Sequence, residues 1–139
     1  MLRQGLTLLA LAAVLGTALA SEASIATKLT ADTFDEKTAD GKVWFIKFFA
    51  PWCGHCKRLA PTWDTLAKEF KDSDSVQVAT VDCTVEKGIC NKAEIRGYPT
   101  LKVYQGGEAK EQYRGSRELS ALKEFLEGQK KTLLDETTE

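Results

Sequence analysis

Seven consecutive residues, Val43-Trp44-Phe45-Ile46-Lys47-Phe48-Phe49, are apolar at every position but one. A strand with one solvated face alternates apolar and polar residues, so an unbroken run belongs to a strand covered on both faces. Such a strand needs helices above and below it, and the flanking sequence supplies them. Leu59, Trp63, Leu66, Ala67 and Phe70 recur at helical spacing and predict a helix from about Trp52 to Lys71. Pro61 falls inside it and, having no N–H to donate, is expected to kink it. Val76 to Asp82 reads as a second strand and Val85 to Ala93 as a short helix. Thr100 to Tyr104 is a third strand, turned at Gly106-Gly107 into a fourth at about Ala109 to Arg114. A last helix, capped by Ser116, buries Leu119, Leu122, Phe125 and Leu126. Upstream, Ile25 to Leu29 reads as an edge strand, and Thr30 as the cap of a short helix ending near Thr38. This order predicts one α/β domain, a central mixed β-sheet flanked by helices on both faces.

Composition narrows the function. Lys and Arg number 19 against 20 Asp and Glu, a net charge of -1, with no basic run to hold nucleic acid electrostatically. Residues 1–20 read as a cleavable signal peptide: Arg3, then a Leu/Ala/Val-rich core from Leu6 to Leu15, then Ala18-Leu19-Ala20 before Ser21. Its apolar core is short of the roughly 20 residues a spanning helix needs, so no stable membrane insertion is expected. Residues 21–131 form the expected domain, and 132–139 a flexible acidic tail. The tail does not end in a Lys-Asp-Glu-Leu-type signal, so secretory entry is supported while retention stays open.

Two of the four cysteines flank the single histidine, in Trp52-Cys53-Gly54-His55-Cys56, where the buried strand hands over to the long helix. A first helical turn offers unpaired N–H groups and partial positive charge, which stabilise a thiolate at Cys53. His55 is expected to add a donor or a positive charge near both sulfurs and to lower the Cys53 pKa further. Two intervening residues let the sulfurs meet within one turn, with Cys56 as resolving thiol. Zinc is a competing use of the four cysteines, but Cys83 and Cys90 are spaced C-x6-C, looser than structural zinc sites. Haem attachment needs His directly after the second cysteine, where Lys57 stands. A plain structural staple has no use for Gly54 and His55, so redox chemistry is the favoured reading.

Phe48 to Lys57 resembles the active site of the protein disulfide isomerase family, and Arg96-Gly97-Tyr98-Pro99-Thr100 is similar to its second signature. The likeness covers about Ala26 to Gly128 and implies a thioredoxin fold. Val81-Asp82-Cys83-Thr84 with Cys90 points to a subgroup whose members usually carry several such domains. The resemblance implies Cys53 as nucleophile, Cys56 as resolving thiol, and a cis Pro99 with Tyr98 presenting backbone to an extended substrate. It implies that Arg117 swings toward Cys56 and lowers its pKa, and that Trp52 belongs to the apolar rim that meets substrate.

The family usually has a buried carboxylate six residues before the nucleophile, and here that position is Lys47; its usual lysine partner is Thr80. A buried lysine tends toward neutrality and can then accept a proton from Cys56, unless it snorkels to solvent. Cys83 and Cys90 are expected to form a structural disulfide, with buried free thiols the alternative. The expected activity is thiol–disulfide exchange on cysteine-containing client proteins in the secretory pathway, most naturally the endoplasmic reticulum lumen. It needs no metal or organic cofactor, and glutathione or an upstream oxidase would be the redox partner of a monomer. A holdase-like module using the rim of Trp52, Tyr98 and Pro99 is the alternative.

Overall fold

The computed structural model describes residues 24–135. The expected leader and residues 136–139 lie outside the described residues. The chain runs β1 (Thr27–Lys28), α1 (Phe34–Thr38), β2 (Val43–Phe49), α2 (Gly54–Phe70), β3 (Val76–Asp82), α3 (Lys87–Lys92), β4 (Thr100–Gln105), β5 (Glu108–Tyr113) and α4 (Leu119–Asp135). The strands form one mixed sheet in the order β1-β3-β2-β4-β5. β2 lies at its centre, parallel to β3 through all seven of its residues and antiparallel to β4.

The central place of β2 is a consequence of its composition. Val43 and Phe45 point into a core with Leu59, Trp63 and Leu66 of α2 and Leu122 and Leu126 of α4. Trp44, Ile46 and Phe48 point the other way, into a core with Phe34 of α1 and Tyr104 of β4. Alternation along one strand thus feeds two cores, which is why no polar face shows in its sequence. Phe45 and Trp63 meet edge to face with ring centroids 4.8 Å apart. The Trp63 indole N–H, fully buried, donates to the Ala79 carbonyl at 3.0 Å and so ties α2 to β3.

Several boundaries differ from the sequence expectation for local reasons. α2 begins at Gly54 rather than Trp52, because Cys53 is extended and serves as its N-cap. α2 runs unbroken through Pro61 to Phe70. β1 shrinks to the two residues that pair with Ala79 and Thr80. Ser116 does not cap α4: its Oγ accepts from the Glu118 N–H at 3.2 Å, a local turn, and the helix starts at Leu119. α4 also continues four residues past 131, into the segment expected to be tail, since Leu133 and Leu134 pack against the core.

Trp63→Ala removes the largest fully buried side chain together with its hydrogen bond. It should cost about 3–5 kcal/mol of stability in urea unfolding, the usual range for an aromatic deleted from a core. A loss below about 1 kcal/mol would show that α2 and the sheet are not held at this point.

Candidate active site

β2 ends at Phe49, and the chain turns sharply, with the Cys53 N–H donating to the Ala50 carbonyl at 3.1 Å. The turn sets Cys53 at the mouth of α2, whose first turn contains no acidic residue. Its sulfur takes the role an N-cap oxygen usually plays, accepting the Cys56 N–H at 3.3 Å. On its other side the Cys53 thiol donates to the Tyr98 carbonyl at 3.5 Å. The Tyr98–Pro99 peptide is cis. Cys53, Cys56 and Ala50 form a small buried cluster of their own, with Phe49 and Tyr98 against it.

The two thiols, both free, are electrostatically unlike. The Cys53 pKa is lowered, first by a hydrogen bond from the Cys56 thiol, then by the backbone N–H groups of Cys56 and His55 and the Arg117 charge, all working against burial. The Cys56 pKa is pushed up to about 11, mainly by burial and by its bond to Cys53. The Ala50 backbone and the Lys47 charge pull it the other way. Such a pair can present a thiolate at Cys53 while Cys56 holds its proton.

Around the sulfurs the expected residues divide. Tyr98 and Trp52 form a rim, their rings edge to face at 5.8 Å, and Trp52 is 69% exposed. His55 does not aim its ring at the sulfurs: the Arg58 guanidinium donates to its Nδ1 at 2.7 Å, and its effect on Cys53 comes through the backbone N–H. Sequence reasoning misses Arg58, although its place three residues on along the same helix is a spacing that brings side chains together. Gly54 has open space where a Cβ would be, so packing does not require it. The Arg117 charge bears on Cys53.

Lys47 is 5% exposed, which removes the snorkelling alternative, and its ammonium lies 4.9 Å from the centre of the Phe49 ring. Burial lowers its pKa, opposed by the charges of Asp64 and Cys56. Its neighbour in register on β3 is Thr80, so no charge stands opposite it there, and Asp64 of α2 supplies the negative field instead. Cys83 and Cys90 are bonded to each other, bridging the end of β3 to α3. The four cysteines therefore form two separate pairs. Among the described residues no helix is long and apolar enough to cross a membrane.

Residues 25–128 match the thioredoxin family. The chain is 42% identical over 127 residues to protein disulfide isomerase-like 5-1 of Oryza sativa subsp. japonica, covering 89% of this chain and 86% of that one. It is 48% identical over 99 residues to the thioredoxin domain-containing protein 5 homolog of Drosophila melanogaster, covering 71% of this chain but only 24% of the fly protein. The solution structure of the first thioredoxin domain of mouse protein disulfide-isomerase A4 superposes with a TM-score of 0.70 at 34% identity, covering 78% of each chain.

Alkylation of the reduced protein with iodoacetamide, mapped by mass spectrometry against pH, should modify Cys53 at lower pH than an ordinary cysteine. Cys56 should stay protected until the pH nears 11. Equal labelling of both at pH 7 would contradict the asymmetry described.

Proposed function

The chain belongs to the thioredoxin family, with protein disulfide isomerases among its relatives, and we propose that it is a thiol–disulfide oxidoreductase acting on cysteine-containing clients of the secretory pathway. The observation that carries this is the Cys53 sulfur capping α2 and accepting the N–H of a buried Cys56, the two thiols lying in unlike surroundings. In reduction or isomerisation the Cys53 thiolate attacks a client disulfide, forming a mixed disulfide and releasing one client thiolate. In reduction Cys56 then gives up its proton, attacks the Cys53 sulfur and frees the second client thiolate, leaving Cys53–Cys56 oxidised; in isomerisation a client thiolate displaces Cys53 instead and the dithiol is regenerated. In oxidation the same steps run backwards, starting from a client thiolate. Reduced glutathione supplies the two electrons that restore the dithiol after reduction, and an upstream oxidase takes up the two electrons after oxidation.

Lys47 is the proton acceptor for Cys56 in this scheme. It is buried, its charge is felt at Cys56, and its lowered pKa favours the neutral amine that accepts a proton. Trp52 and Tyr98 supply the apolar contact to an extended client segment. Arg117, exposed near Pro99, stabilises thiolate, at Cys53 in this arrangement and at Cys56 if its side chain swings inward. Cys83–Cys90 is a structural bridge, closing a short loop worth about 2–3 kcal/mol. The protein acts as a monomer, residues 1–20 direct it into the secretory pathway, and the endoplasmic reticulum lumen is the compartment.

Cys56→Ser should accumulate mixed disulfides with a reduced, refolding client, visible on non-reducing gels. Cys53→Ser should form none; trapping with Cys53→Ser would reassign the nucleophile. The double variant separates the holdase alternative: suppression of client aggregation at wild-type level, with no exchange by the wild type, would favour it. A glutathione titration of Cys53–Cys56 should give a potential near the roughly −180 mV of disulfide isomerases, whereas one near about −270 mV would make the chain a reductase. Lys47→Ala should slow the step that releases client most strongly toward the upper end of pH 6 to 9, where the lysine is increasingly the neutral amine that can accept the Cys56 proton. Unchanged oxidation and reduction rates across that range would remove the role.

A further inference from the structure

Beside Pro99 lies a small cavity of about 240 Å³, lined by neither Trp52 nor Tyr98. Pro99, Thr100, Gln112, Arg114, Gly115 and Arg117 line it. It lies where the β4–β5 pairing ends: the two strands pair antiparallel up to Leu101 with Tyr113, and the residues just beyond that pair, Thr100 and Pro99 on one side and Arg114 and Gly115 on the other, line the recess. The loop carrying the arginines is pinned. The Tyr113 hydroxyl donates to the Ser116 carbonyl at 2.5 Å, and the side chain passes so close to Gly115 that a Cβ there would meet the hydroxyl at 2.7 Å and the ring at 2.8 Å.

Both arginines are exposed, and among the described residues neither guanidinium is held by an ion pair or a side-chain hydrogen bond. Glu118 comes next in the same loop and Glu124 acts on Tyr113, but neither lines the cavity. Two unpaired guanidiniums, a pinned loop and a recess lined by Pro99, next in sequence to the Tyr98 whose carbonyl meets the Cys53 thiol, form a ready receptor for a carboxylate, which arginine binds in bidentate fashion. We propose that Arg114 and Arg117 form a client-selecting subsite that favours cysteines with an acidic side chain one or two residues away. The Arg117 charge, already felt at Cys53, reaches the place where the client sulfur must sit.

This inference rests on exchange at Cys53, so the test separates the two. Exchange rates are measured with three peptide disulfides that carry Asp, Asn or Lys next to the reacting cysteine, and with one that carries Asp six residues away. The wild type should favour neighbouring Asp over Lys by about threefold to tenfold at low salt, the range expected of exposed charges a few ångströms apart. Arg114→Glu should abolish or invert that ratio, and Arg114→Gln should reduce it; the ratio cancels any change in Cys53 reactivity itself. Equal wild-type rates, a preference that survives Arg114→Glu, or the same preference for the distant Asp would overturn the subsite. Absence of exchange with every peptide would overturn the proposed activity, and the subsite with it.

Discussion

The structure depends on β2 being buried on both faces. Val43 and Phe45 commit one side to α2 and α4, and Trp44, Ile46 and Phe48 commit the other to α1 and β4. With no solvated face to spare, β2 lies in the middle of the sheet, and the segment after it emerges at the carboxyl end of the central strand in a fixed direction. Cys53 is placed by that constraint. It sits four residues past the strand, closed onto Ala50 by one hydrogen bond, where the chain has just left the sheet and the helix has not yet begun. Open α/β sheets bind their ligands at this carboxyl end of the strands.

The chemistry comes from unequal environments for two identical side chains three residues apart. The outer sulfur receives N–H groups that a helix start leaves unpaired, while the inner one is drawn into the fold, where burial outweighs the help it gets from the Ala50 backbone. Burial therefore acts as a proton lock on Cys56. Whatever opens the lock must already lie inside, which makes the lysine at the fifth position of β2 consequential. Thr80 beside it cannot share a charge, so the negative field comes from Asp64, about two turns along α2 from the inner cysteine.

Much of this was legible in the sequence because it depends on periodicity and punctuation. The apolar run marks the buried strand, helical spacing from Leu59 to Phe70 marks α2, and the cysteine pair at their junction marks the site. The features that could not be read depend on where side chains turn in space. His55 has the chemistry of a partner for both sulfurs, yet its ring faces Arg58, because a helix carries successive side chains around its axis. Ser116 has the residue type of a cap without the position, since Tyr113 and Gly115 fix the loop before the helix can start. The full length of α4 is hidden for the same reason. Leu133 and Leu134 are two apolar residues in a charged stretch, and only the neighbouring elements show that they are covered.

The three tryptophans occupy three distinct settings: Trp63 is sealed against the sheet, Trp44 is buried with its indole bonded to Asp40, and Trp52 stands in solvent beside the reactive cysteine. Their fluorescence is therefore divided by place. Light from Trp63 and Trp44 reports whether the two cores are assembled, and the red-shifted emission of Trp52 reports what happens at the active-site surface. A single emission spectrum thus carries folding and occupancy as separate components, without an added dye.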